Sequence, residues 1–107
     1  EDEVLYEMAG VLGPRFLHAL GGPKYAGLLI HPLRDLARIE ETIVNARATA
    51  SLCNVLDEAL PNVDVGLADV ALEVLDELSN PEDMVNGLGS KVSATRLVAP
   101  TLRVLYR

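Results

Sequence analysis

The chain has 107 residues, half of them apolar, and a formal charge of −7, which suits one continuous core and excludes several conventional domains. The acidic balance disfavours nucleic acid and anionic lipid, whose phosphates need a basic face, so the expected electrostatic partner is a basic protein. Cys53 is the one cysteine, too few for an internal disulfide or a zinc cluster, and no apolar run approaches the roughly twenty residues that span a bilayer, so the expectation is a cytosolic or nuclear chain with no membrane partner.

The first segment, Val4 to Leu20, places Val4, Leu5, Met8, Leu12, Phe16 and Leu20 on one helical stripe, with Asp2 and Glu3 at its positive end. Gly13-Pro14 predicts a kink or two shorter helices, because proline there removes a hydrogen bond and crowds the carbonyl of Gly10. Gly21-Gly22-Pro23 closes this segment and opens the next, a helix over 24–38 that Pro32 should bend. The chain starts Glu-Asp-Glu with a helical pattern already running by Val4, and the expectation is a piece of a longer protein.

Leu36 to Asn45 is the pivot. Tyr25, Leu28, Leu29, Leu33 and Leu36 recur at helical spacing before it, and Val44, Ala48, Leu52, Val55 and Ala59 after it, so the stretch predicts a tight turn between antiparallel helices. The helix that follows is expected over 42–59, with Ala46, Ala48, Ala50 and Ser51 small enough to admit a close neighbour, and Leu60-Pro61-Asn62 ends it. A further helix is expected over 65–79, with Leu67, Val70, Ala71, Val74, Leu75 and Leu78 inward and Asp69, Glu73, Asp76 and Glu77 on a solvated face. Residues 80–89 are rich in turn formers and read as a loop. The last helix is expected from Ser90 to the end, with Val92, Ala99, Leu102 and Leu105 on one side and Pro100 as an interruption without an explanation at this level.

The segments resemble one another. Val4, Leu5, Met8 and Leu12 superpose on Val44, Asn45, Ala48 and Leu52, and Leu33 and Leu36 on Leu75 and Leu78, at a period of roughly 40 residues. Two-helix units of that length are the signature of HEAT or armadillo arrays, and a proline within the first helix of a unit favours HEAT. The fold class is therefore all-α, a HEAT-repeat solenoid fragment of antiparallel helix pairs.

Four runs carry a more specific likeness: EDEVL at Glu1 to Leu5, GGPKY at Gly21 to Tyr25, LLIHPLRDLA at Leu28 to Ala37, and IEETIV at Ile39 to Val44. Over residues 1–52 the chain resembles the N-terminal repeats of the scaffold A subunits of protein phosphatase 2A. The resemblance implies a non-catalytic scaffold whose within-repeat loops receive a regulatory B subunit, while the catalytic subunit is held by repeats absent from this chain. It divides the chain into a second helix (1–20), a complete repeat (24–59) and a repeat with an extended internal loop (65–107). It also points to Asp2, Glu3, Glu40 and Glu41 as partner-binding residues. Two departures stand out: Asn45 replaces an arginine that braces neighbouring repeats in the family, and the loop beyond Asn80 is longer and lacks the family's tryptophan.

Chemistry elsewhere is sparse. Glu40 and Glu41 also suit a helix N-terminus with no partner at all, an effect of about 0.3 to 1 kcal/mol. His18 and His31 lack a third ligand, Cys53 sits on an apolar helix with no adjacent cation, and Ser51 and Ser90 lack a paired histidine. Gly87-Leu88-Gly89 has no preceding strand for a nucleotide fingerprint. Asp57-Glu58 and Asp76-Glu77 have too few converging ligands for calcium. No enzyme centre, cofactor or metal is expected. Besides the scaffold, two readings remain open here: a HEAT adaptor in an unrelated complex, and a small acidic helical domain with a ligand pocket between its helices.

Overall fold

The local signals at Gly13-Pro14 and Gly21-Gly22-Pro23 set where the backbone turns. The computed structural model describes residues 2–39, 41–60, 65–79 and 95–106. Every regular element among them is helical: α1 (Asp2–Val11), α2 (Pro14–Leu20), one 3-10 turn (Pro23–Tyr25), α3 (Gly27–Ala37), α4 (Thr42–Ala59), α5 (Val65–Ser79) and α6 (Val98–Leu105). Gly13 is extended and Pro14 opens α2 at its first position, where a missing N–H costs nothing, so the first segment is two helices. Gly21 and Gly22 both have positive φ, 126° and 109°, and their N–H groups donate to the carbonyls of His18 and Leu17, closing α2. A side chain on Gly21 would also collide with the Tyr25 ring. The N–H groups of Tyr25 and Ala26 donate three residues back, to Gly22 and Pro23, so a 3-10 turn occupies the start of the helix expected from Lys24, and α3 begins at Gly27.

α3 buries Leu29, Ile30, Leu33, Leu36 and Ala37, and α4 buries Val44, Ala48, Leu52, Val55, Leu56 and Ala59. The short connection between them leaves no room for another neighbour, and the two lie side by side as an antiparallel pair. Full burial of each large aliphatic is worth about 1.5 to 3 kcal/mol, so this pair is the centre of the core. α1, α2 and α6 join α4 in one layer, and α5 joins α3 in the other. The Cα extents, 31 × 29 × 17 Å, are those of two helix layers. Successive antiparallel pairs stacked this way are the arrangement of a HEAT array.

The bounds expected for α4 and α5 match the observed ones. Three faces do not match. In the first segment Ala9 and Leu17 are buried, Leu5 and Leu12 half-buried, and Val4, Met8, Phe16 and Leu20 exposed. α1 meets α4 through its smallest residues, so the apolar stripe straddles the contact instead of centring on it. On α5 the acidic face is not wholly solvated: Glu77 is only 8% exposed and pairs with Arg38 of α3, and Glu73 pairs with Arg34. At the end of the chain Leu97, Pro100, Thr101 and Val104 are buried, whereas Ala99 and Leu102 are exposed. Here the helix restarts at Val98 with Leu97 as its N-cap, which puts Pro100 in the first turn, where its missing N–H does no harm, and rotates the buried face by about one residue. The expected loop at 80–89, the side chain of Leu78, and Ser90 with Val92 lie outside the described residues.

Candidate functional site

Two kinds of contact hold α1 on α4. Ala9 and Ala48 are fully buried, and Ser51 Oγ donates to the Ala9 carbonyl at 2.5 Å, which needs a close approach of the two backbones. One turn away, the guanidinium of Arg47 lies 4.1 Å from the centroid of the Tyr6 ring and crosses the bare backbone of Gly10. This packing fixes where the start of α1 sits relative to the turn between α3 and α4.

That turn is built from its own ends. Asn45 is buried, and its Nδ2 donates to the carbonyls of Ala37 at 2.9 Å and Ile39 at 3.4 Å, satisfying acceptors that the end of α3 leaves open. The bonds it makes lie within its own helix pair. Glu41 is the N-cap of α4, its Oε1 accepting from the Ile43 N–H at 3.4 Å, and its charge sits on the positive end of an 18-residue helix.

Asp2, Glu3 and Glu41, three of the acids singled out in the sequence, line one groove of about 460 Å³ with Tyr6, Ile43 and Val44. Glu40 lies outside the described residues. The three acids are exposed, and Ile43 is 62% exposed, so carboxylates surround an apolar floor with an aromatic wall. Such a surface complements a cationic side chain with an apolar stem. Tyr6 and Ile43 were missed in the sequence; the i, i+4 spacing of Asp2 and Tyr6 was the available signal, since it stacks them on one face of α1.

The remaining sequence candidates stay apart from this groove. His18 Nε2 lies 3.9 Å from Glu58 Oε2 on the surface, and His31 is exposed. Cys53 is half-buried and donates to the Arg96 carbonyl at 3.3 Å, and burial pushes its thiol pKa up, the opposite of nucleophile activation. Asp57 binds Arg103 of α6, accepting from Nη2 at 2.7 Å and Nε at 3.1 Å. Ser51 is committed to Ala9. Among the described residues no cluster of His, Cys, Asp and Glu could hold a metal ion, and no helix is long and apolar enough to cross a membrane.

No family model matches the chain, and no solved structure gives a significant match. Curated proteins do. The chain is 50% identical over 52 residues to the regulatory A subunit of protein phosphatase PP2A from Schizosaccharomyces pombe, covering 49% of this chain and 9% of that protein. It is 48% identical over 58 residues to the PP2A 65 kDa regulatory subunit of Drosophila melanogaster, covering 54% and 10%. It is 44% identical over 61 residues to the beta isoform of the human protein phosphatase 2A 65 kDa regulatory A subunit, covering 57% and 10%. The chain thus spans about a tenth of the length of the curated relatives it matches, and the match takes in about half of the chain itself. Through that half, the chain is similar to the regulatory A subunits of protein phosphatase 2A.

Proposed function

We propose that the chain is part of a non-catalytic phosphatase scaffold and that the groove of Asp2, Glu3 and Glu41 receives a basic face of a regulatory B subunit. The convergence of acids from two separate helices on one apolar-floored groove carries the reading. Relatives whose names describe them as regulatory subunits of protein phosphatase 2A support it. In this reading residues 1–20 are the second helix of one repeat, 24–59 form a second repeat and 65–107 a third. In the same reading Glu40 is a further partner-binding residue, taken from the family resemblance, and the catalytic subunit is bound by parts of the longer protein outside this chain.

The test is E40K/E41K in the full-length parent scaffold, with binding to a purified B subunit measured at low and moderate salt and circular dichroism as the folding control. Glu41 is exposed and losing its cap costs about 1 kcal/mol, so the fold should persist, while attraction becomes repulsion at the interface. Affinity should fall about tenfold at low salt, mainly through slower association, and its salt dependence should shrink. Unchanged affinity at both salts in a folded variant would leave Glu41 as a helix cap and nothing more.

A further inference from the structure

Of the six described arginines, Arg34 faces Glu73, Arg38 faces Asp35 and Glu77, and Arg103 faces Asp57. Arg15 and Arg47 have no ion pair among the described residues, and both line the same groove. It is a cleft of about 550 Å³ at the break between α1 and α2, with Val11 and Phe16 on its walls and Gly10 and Gly13 on its backbone side. Within this chain Val11 is 56% exposed and Phe16 38%.

Arg47 is prepared for such a partner. Its guanidinium stacks on Tyr6, and a side-chain carbon placed on Gly10 would collide with it, so the glycine is what lets the arginine lie there. Held in this way, its remaining N–H groups lose less freedom on binding an anion than those of a free arginine. Arg47 stacks on Tyr6, which also borders the acidic groove, whereas Arg15 lies past the far end of the ten-residue α1, roughly 15 Å from Asp2 and beyond the Debye length of about 10 Å at 0.1 M salt. At Arg15 the acidic groove is therefore largely screened, and the two guanidinium groups are the charged residues of the cleft's own lining.

We infer that the cleft at the α1–α2 break docks an acidic peptide segment, one that places carboxylates on Arg15 and Arg47 and an apolar side chain between Val11 and Phe16. This site shares no lining residue with the acidic groove above and takes a partner of opposite charge.

The probe is an acetylated, amidated hexapeptide alternating glutamate with leucine or phenylalanine, titrated into the isotope-labelled 107-residue chain, with amide shifts followed by NMR. The expected result is saturable shifts at Gly10, Gly13, Phe16 and Ala19, and binding weakened about fivefold by R15Q and about tenfold by R47Q. G10A keeps every charge and adds a good helix former while displacing Arg47, so it should weaken binding as R47Q does with the helical signal retained. A peptide with lysine in place of glutamate should leave these amides unmoved. Absence of saturable shifts, shifts centred on Ile43 and Val44, equal binding by folded R15Q, or displacement by inorganic phosphate at its own carboxylate-equivalent concentration would each overturn the assignment. Since the probe touches neither Glu40 nor Glu41, failure here leaves the B-subunit reading standing, and the converse also holds.

Discussion

The two joints that attach neighbouring helices to the central α3–α4 pair are built on opposite plans. α1 meets α4 through Ala9, Gly10, Ala48 and Ser51, with one hydroxyl donating to one carbonyl and no pair of opposite charges among the described residues. α5 meets α3 through Arg34 with Glu73 and Arg38 with Glu77, an ion pair on each of two successive turns, laid over Leu67, Val70, Ala71 and Val74. A joint of small residues gains dispersion and a short backbone approach and has no volume to spare. A joint of long charged side chains spans a wider gap and depends on geometry, since each desolvated charge must find its partner. The first joint should fail when atoms are added, the second when a charge is removed.

Adding atoms is the larger effect. A9L places a bulky side chain on a fully buried residue facing α4, where overpacking costs about 1 to 3 kcal/mol and the Ser51 bond is lost as the backbones separate. Urea unfolding should show a total loss of about 3 kcal/mol. Hydrogen exchange should speed up in α1 before α3 and α4, because only the first joint is opened. Uniform loss of protection across all helices would show that the joints are not separate units.

Removing a charge comes second. E77A deletes the better buried carboxylate of the ion ladder and strands Arg38, half-buried, with only Asp35 at 3.9 Å. The cost should be about 2 kcal/mol, between the values for exposed and fully buried pairs. R38M in the same background should recover part of it, since an apolar side chain of similar length leaves no charge stranded. A double mutant no more stable than E77A alone would mean that packing, not charge, governs this joint.

How far the sequence foretold these joints depends on what each uses for contact. α4 and α5 could be bounded because capping residues, prolines and a strong 3.6-residue period agree along them. The stripe on α1 misled because the residue that makes its contact is Ala9, which carries little hydropathy, while Val4 and Met8 beside it carry much. Glu73 and Glu77 read as a solvated face because their partners lie about forty residues away, and no local pattern records that distance. Leu97 to Leu105 has apolar residues on several sides, so only the turn at Leu97 decides which side is buried. Asp2, Glu3 and Glu41 are singled out by family resemblance alone, and the structure adds that they line one groove. Their common groove depends on the α1–α4 joint, which the sequence indicated only through its small residues.

The smallest effect separates the two rungs of the ladder. Glu73 is far more exposed than Glu77, with side-chain exposures of 55% and 10%, yet each faces an arginine one turn from the other. Water screens the outer rung, so E73Q, which keeps the shape and removes the charge, should cost no more than about 0.5 kcal/mol. That small loss should vanish as salt rises from about 0.05 to about 1 M, where the Debye length contracts to about 3 Å. E77Q should cost more and keep most of its cost in high salt, because burial shields that pair from ions as well as from water. Urea midpoints of wild type, E73Q and E77Q at the two salt concentrations supply the comparison. If both variants lose their cost equally in salt, the rungs are equivalent surface pairs, and the second joint rests on Leu67, Val70, Ala71 and Val74 alone.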